Sequence, residues 1–488
     1  MNARPTPSDW VRYLVFGSLT FGGGLAAAFF VGFEAFGVLD RDIWKSATVP
    51  HSFLFGHLLV VGKAYAHNAP GAHQQLGIWI LLEKHYPDLW KQGFYYLDLW
   101  PVQYPMLICY ETDIISQFTQ QKSQPKSIIF KKQFQKLTGG QDLGSTEGAH
   151  WKFWRSKFNP GFSARNVLSL VPSFIDDVLL FRQQLEDAAA SGEVVRLSEP
   201  AAKLAFDVIG NVVLGRKLNS LSSSEDSFYS TFLKQLKLIP QIDREIKTYG
   251  QEEGPRTVLN LAIKAFVKQM PEGTSLPKSV SDLGPAFLTD VLAHLRVFLL
   301  AGFDTTSYIM CAVFWMLQQN PDCLTKVREE HDHAVIKEVM RLQPVTGVVR
   351  TSEPSFVLTH PITRQPLPTE GFALYTCQHA IHRNPALWPL RNDFIPDRWL
   401  VPDGHELHPV KNAWRPFEMG PRNCIGQELA NLELKAVIVL TLREFDLVPQ
   451  YDPNGPNLFG GLAYQVPAEV TTRPRDGLPV KIVRRENA

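Results

Sequence analysis

One cysteine near the end of the chain constrains the fold more than any other residue. It stands in Phe417-Glu-Met-Gly-Pro-Arg-Asn-Cys424-Ile-Gly426, between two glycines and two residues after Arg422. Glycine allows backbone conformations and close approaches that a Cβ forbids, so Gly420 and Gly426 shape a loop able to bring the sulfur up to a large flat ligand. The run from Gln427 to Phe445 has apolar residues at helical spacing, so the loop leads into a helix. Free N–H groups at the start of that helix favour a negative sulfur.

A lone cysteine is ordinarily a buried, inert, small hydrophobe. Here Phe417, Gly420, Arg422, Cys424 and Gly426 fix five identities over ten positions, a combination that rarely arises by chance. An axial thiolate to haem iron needs this geometry, and Arg422 is suited to an anionic propionate.

Composition narrows the field. The 488 residues contain no repeat or low-complexity linker, and 45% are hydrophobic, enough for one large core. A net charge of +1 argues against nucleic acid as a partner, because there is no basic excess to neutralise phosphates. Cys109, Cys311, Cys323, Cys377 and Cys424 are scattered and odd in number, which is no disulfide framework. The chain has no N-x-S/T sequon, which favours a body facing the cytosol.

Residues 1–12 form a lead. Between Arg12 and Glu34 there is no charge, so residues 13–33 are expected to be a transmembrane anchor helix. A cleaved signal peptide is the other reading, although the apolar run continues past the small residues at 22–28. Residues 34–56, with Pro50, then form a linker, and 57–488 the body.

Three further patterns precede the cysteine. Trp151 and Arg155 are four apart and so share a helical face. Alone, they describe an ordinary amphipathic helix. Pro285 to Gln319 has no internal proline and would extend about 50 Å as a helix. At its centre, Ala301-Gly302-Phe303-Asp304-Thr305-Thr306 breaks the apolar pattern with side chains that compete for backbone hydrogen bonds. A kink is one explanation, function the other. Glu338 and Arg341 stand at i, i+3 with Arg398 further on.

In this order the patterns resemble the cytochrome P450 family along nearly the whole chain. The resemblance implies a mainly α fold with small β-sheets, a single haem domain behind an N-terminal membrane anchor. It implies haem b with Cys424 as axial ligand, in a loop built from Phe417, Gly420, Arg422 and Gly426. Trp151, Arg155 and Arg350 would serve the propionates. Gly302 would make room for O2, Thr305 would hydrogen-bond it, and Asp304 would relay protons through water. Glu338, Arg341 and Arg398 would form a buried triad fixing the cysteine loop. The partners implied are an NADPH-cytochrome P450 reductase, cytochrome b5 and a hydrophobic small molecule, at the endoplasmic reticulum membrane. The wording Ala413-Trp-Arg-Pro-Phe-Glu-Met-Gly-Pro-Arg-Asn-Cys424 is similar to fungal microsomal members, many of which tailor polyketides and terpenoids.

The chain departs from the pattern near residues 331–334. Lys326–Asp332 runs directly into His333–Glu338, without the further helix and loop that the family places there. His331 and His333, beside Glu329, Glu330 and Asp332, are expected to be a solvated face rather than a metal pair. The expected function is O2-dependent monooxygenation. Peroxide rearrangement or dehydration without O2, and a non-catalytic membrane-bound remnant left by the shortening, are the alternatives. From Thr119 to Gly148 the chain reads as polar and loop-rich, and from Pro255 to Ser281 as polar and breaker-rich; the resemblance implies that the middle third containing the latter forms a lid over the substrate cavity.

Overall fold

The computed structural model describes residues 48–485 except 51, 53–54, 67, 74–75, 77–82, 100–101, 223–237, 250–255, 330–331, 459–460 and 469–470. The expected anchor and most of the linker lie outside these.

Two hydrophobic cores carry the fold. The larger is helical and the smaller surrounds a four-stranded sheet. In that sheet β1 (Phe94–Leu97) pairs antiparallel with β2 (Met106–Cys109), with Phe94 opposite Cys109. β3 (Val349–Thr351) and β4 (Ala373–Thr376) complete it, β4 running parallel to β2 and antiparallel to β3. Arg350 of β3, opposite Leu374, is fully buried.

The helical core is built along α4 (Pro285–Gln318), 34 residues opened by a proline at the first turn and closed before Asn320-Pro321. Among the described residues α4 is the one helix long and apolar enough to cross a membrane, but most of its apolar stretch is buried inside the protein. α3 (Ser198–Leu214) packs along it, α2 (Ala164–Ser191) packs on α3, and α1 (Gly148–Phe158) lies against its first half. Gly192 and Gly215 end α2 and α3 in the left-handed conformation that glycine tolerates without a Cβ penalty. α1 meets α4 through rings: His294 lies 4.7 Å from Trp154 and 5.1 Å from Phe158, centroid to centroid. Both nitrogens of His294 are buried without a partner, and burial lowers its pKa to about 3, so it packs as a neutral ring.

α5 (Pro321–Glu329) is followed at once by α6 (Asp332–Leu342). The shortened connection therefore joins two helices almost end to end. α7 (Gln427–Thr441) follows the cysteine loop and packs against α2 and α6.

The two supposed loop regions each contain a helix. Ile128–Thr138 is N-capped by Ser127, whose Oγ accepts from the Ile129 N–H at 3.2 Å, and it ends at Gly139 with φ 67°. Val258–Val267 is capped by Thr257, whose Oγ1 accepts from the Asn260 N–H at 3.0 Å. Their short lengths and polar flanks hid them. Capping and tertiary packing make such helices stable where isolated propensity does not.

Candidate active site

The cysteine loop is shaped from within and from behind. The Cys424 N–H donates to the Phe417 carbonyl at 2.9 Å, and the Asn423 N–H to the Gly420 carbonyl at 3.2 Å. Gly420 has φ 86°, and a Cβ there would lie 2.2 Å from the Thr119 carbonyl. That position therefore requires glycine. Gly426 opens α7, and a Cβ on it would sit at ordinary contact, 3.9 Å from Cys424 Sγ. Its importance lies in the N–H it offers the sulfur, not in missing bulk.

Cys424 retains accessible area, although protein packs densely around its sulfur. Burial raises its thiol pKa, while the Gly426 N–H, Arg155 and Lys126 work the other way. On either side of it, Asn423 and Ile425 line a cavity of about 850 Å³ that extends to Ala301 and Thr305 of α4.

Glu338, Arg341 and Arg398 form the expected buried cluster. Glu338 accepts from Arg341 Nε at 2.9 Å and Nη2 at 2.7 Å, from Arg398 Nε at 3.0 Å, from the Trp399 indole at 3.1 Å and from the Ile395 N–H at 3.0 Å. All three charged side chains are fully buried. Such a cluster costs desolvation, and its value lies in direction: each carboxylate oxygen is fixed by several donors. The short α5–α6 connection has not displaced it.

Around the cavity floor cations gather. Arg155 of α1 donates to the Asn423 carbonyl and to Asn423 Oδ1, each at 2.9 Å, so it is tied to the residue beside Cys424. Arg422 pairs with Glu147 at 2.6 Å and lies 4.4 Å over the Trp151 ring. Arg350 differs. Its Nε, Nη1 and Nη2 are all buried with no hydrogen-bond partner. Burial and the nearby Arg422 lower its pKa to about 10, partly offset by Glu418 and Glu147. A buried guanidinium without an anion is costly, so this site suits a ligand that brings carboxylates.

Sequence reasoning missed Lys126, which lines the same cavity and forms a β-bridge with Arg350. Burial pushes its pKa well down. In a stretch with several lysines, nothing in the sequence singled it out. Glu147 was also missed; it accepts from the Lys126 N–H at 2.5 Å as well as from Arg422.

On the opposite wall, Thr305 donates to the Ala301 carbonyl at 2.8 Å, and both residues line the cavity. Asp304 is buried and accepts from Thr471, the N–H at 3.0 Å and the hydroxyl at 2.7 Å. Thr471 precedes strand Thr472–Pro474, which pairs antiparallel with Gln465–Pro467. Gly302 departs from the expected placement. A Cβ there would lie 2.4 Å from Ile209 Cγ1 of α3, so its missing side chain serves helix packing, and Ala301 rather than Gly302 faces the cavity.

The cytochrome P450 family model matches residues 69–245 and 286–465, the second span running through the shortened connection. The chain belongs to the cytochrome P450 family. It is 34% identical to cytochrome P450 monooxygenase polC of Polytolypa hystricis, over 83% of this chain and 82% of that protein. It is 28% identical to cytochrome P450 monooxygenase acrF of Aspergillus aculeatus, over 82% of this chain and 96% of that protein. Among solved structures the fold is similar to the cytochrome P450DA heme domain, with TM-score 0.68 at 18% identity, covering 90% of this chain and 96% of that one. The chain is thus a P450 monooxygenase, an oxidoreductase, and the O2-independent and remnant alternatives are not favoured. The family's cofactor is a haem held through a cysteine thiolate. The residues fit it: Lys126, Arg155 and Arg422 line a cavity of suitable size, Asn423 and Ile425 line it on either side of Cys424, and the unpartnered guanidinium of Arg350 is buried on a strand bridged to Lys126.

Proposed function

We propose that the chain oxidises a hydrophobic small molecule in fungal secondary metabolism, as a membrane-anchored haem-thiolate enzyme with Cys424 as the iron ligand. The observation that carries the site assignment is the buried, unpartnered Arg350 guanidinium, on a backbone bridged to Lys126, which lines the cavity beside the cysteine loop. Arg350, Arg155, Arg422 and Lys126 would pair with the two propionates, with Trp151 supporting Arg422. Haem b bound there supplies the chemistry that puts one atom of O2 into a C–H bond. The chain's own part is positioning. Thr305 presents a hydroxyl to the cavity, and Asp304 and Thr471 hold a proton-bearing polar group one residue away. The apolar lining from Val297, Phe298 and Leu300 admits an apolar substrate and excludes water from it.

Electrons would come from NADPH through a separate cytochrome P450 reductase, with cytochrome b5 as a second donor. The uncharged run 13–33 would anchor the protein in the endoplasmic reticulum membrane with its body in the cytosol. The resemblance to fungal microsomal members supports tailoring of a polyketide or terpenoid.

Replacing Cys424 with Ala should abolish the thiolate-type spectrum of the reduced carbon-monoxide complex; a retained one overturns the ligand assignment. Comparing metabolites of strains with and without the protein should reveal a less oxidised precursor accumulating in its absence. Membrane fractionation, with mass analysis of the N-terminal peptide, separates a retained anchor from a cleaved leader.

A further inference from the structure

The cysteine loop carries a second ionic cluster, separate from Glu338, Arg341 and Arg398. Arg415 is fully buried and Glu418 nearly so, and they form an ion pair across one turn of chain. Arg415 Nε donates to Glu418 Oε1 at 2.7 Å, and Nη2 donates to the Thr119 hydroxyl at 2.9 Å. Thr119 sits in a π-helical turn, Gln117–Gln121, and its carbonyl closes over Gly420. The backbone of Arg415 is itself fixed: its N–H donates to His382 Nε2 at 2.9 Å and its carbonyl accepts from Gln378 Nε2 at 2.8 Å.

Glu418 is a side chain held where glycine is preferred. Its φ is 54°, in the left-handed region, which costs a non-glycine residue of order 1 kcal/mol. Oε1 also accepts from the Met419 N–H at 3.1 Å, so the carboxylate holds its own neighbouring backbone in that conformation. Immediately before it is Phe417, whose carbonyl takes the Cys424 N–H. The other carboxylate oxygen, Oε2, is buried without a hydrogen-bond partner. Its negative charge is felt by Lys126, which lines the cavity, and by the buried Arg350 whose backbone is bridged to it.

We propose that Arg415 and Glu418, seated on Thr119, are positioning residues that lock the Phe417–Cys424 turn and fix a negative charge beside the cofactor site. The proposal rests on Cys424 being the haem ligand. Neither residue touches substrate; both act through the loop. A buried anion near the iron disfavours the addition of an electron, so removing it raises the reduction potential.

The full-length holoenzyme tests this with two substitutions and two readouts. Glu418→Gln keeps the shape and the backbone strain but loses the charge. Glu418→Gly loses the charge and relieves the strain. Both should shift the haem reduction potential upward. Amide hydrogen exchange across 417–424 should quicken on the order of tenfold in Glu418→Gln, and less in Glu418→Gly. An unchanged potential in both variants overturns the charge role, and unchanged exchange in Glu418→Gln overturns the lock. If Glu418→Gln does not fold, Thr119→Val removes one acceptor of Arg415 without stranding a charge. It should quicken the same exchange by a smaller factor, and an unchanged rate rejects the lock. A wild-type protein without a thiolate-type spectrum would reject Cys424 as ligand instead, and exchange in that protein would still test the lock.

Discussion

The two walls of the cavity are held by different physics. Behind Cys424 the wall is fastened by charge: Glu338 between Arg341 and Arg398, Glu418 against Arg415, and Arg155 on Asn423. The α4 wall is fastened by apolar packing, with Phe303 against Phe206 at 5.7 Å and Gly302 pressed onto Ile209. Its polar exceptions are local, Thr305 on Ala301 and Asp304 on Thr471. Directional bonds suit a wall that must keep one sulfur at a fixed position. Packing suits a wall that must present a smooth apolar face and one or two exact donors. The first should therefore fail abruptly when a partner is removed, the second gradually.

The comparison is broken most severely at Glu338. Glu338→Ala strands two buried guanidinium groups and should destabilise the protein by about 3–5 kcal/mol. Chemical denaturation should show the midpoint falling, with little haem-loaded protein recovered; a wild-type midpoint would mean that the triad fixes nothing. Arg350→Met should act in opposite directions on the two states of the protein. The apoprotein loses an unpaired buried cation and should gain about 1 kcal/mol or more, whereas haem retention should weaken on the order of tenfold. Thermal unfolding of apoprotein and haem transfer to an acceptor protein measure the two separately.

On the other wall, Thr471→Val removes one donor from Asp304 at a cost of about 1–2 kcal/mol in stability. Product formed per O2 consumed should fall a few-fold while the thiolate-type spectrum stays intact. A spectral change would mean that the walls are not independent. The last effect, confined to acid pH, lies where α1 meets α4. The unfolded chain protonates His294 at its usual 6.5, and the folded protein only near 3. The unfolded state therefore binds the extra proton as pH falls below 6.5, and stability declines toward pH 3, by up to about 1.4 kcal/mol per pH unit. His294→Phe should flatten that part of the pH–stability profile, and an unchanged slope would remove His294 as its source.

Much of the fold and site was legible because the chemistry demands particular residues at short spacings. Trp151 and Arg155, Glu338 and Arg341, and Arg422 and Cys424 each lie within one turn or loop, so their identity and register survive in the linear chain. Residues whose role comes from long-range contact were not legible. Lys126 becomes part of the cavity floor only because its segment bridges to β3. Thr471 meets Asp304 across 167 positions of sequence. Gly302 was assigned to the cavity from its place in the motif, but which side of a helix faces the void is decided by what packs on the other.

The sequence by itself determined the cysteine loop, the long central helix and the residues able to form a buried triad. Local spacing and the conformational freedom of glycine are enough for that. Tertiary structure alone decided whether the triad closes across the shortened α5–α6 connection. It also decided that Arg350 is left without an anion and that a glutamate holds the left-handed turn before Cys424. These depend on where distant elements place a donor or remove water, and burial is a property of the assembled fold rather than of any segment.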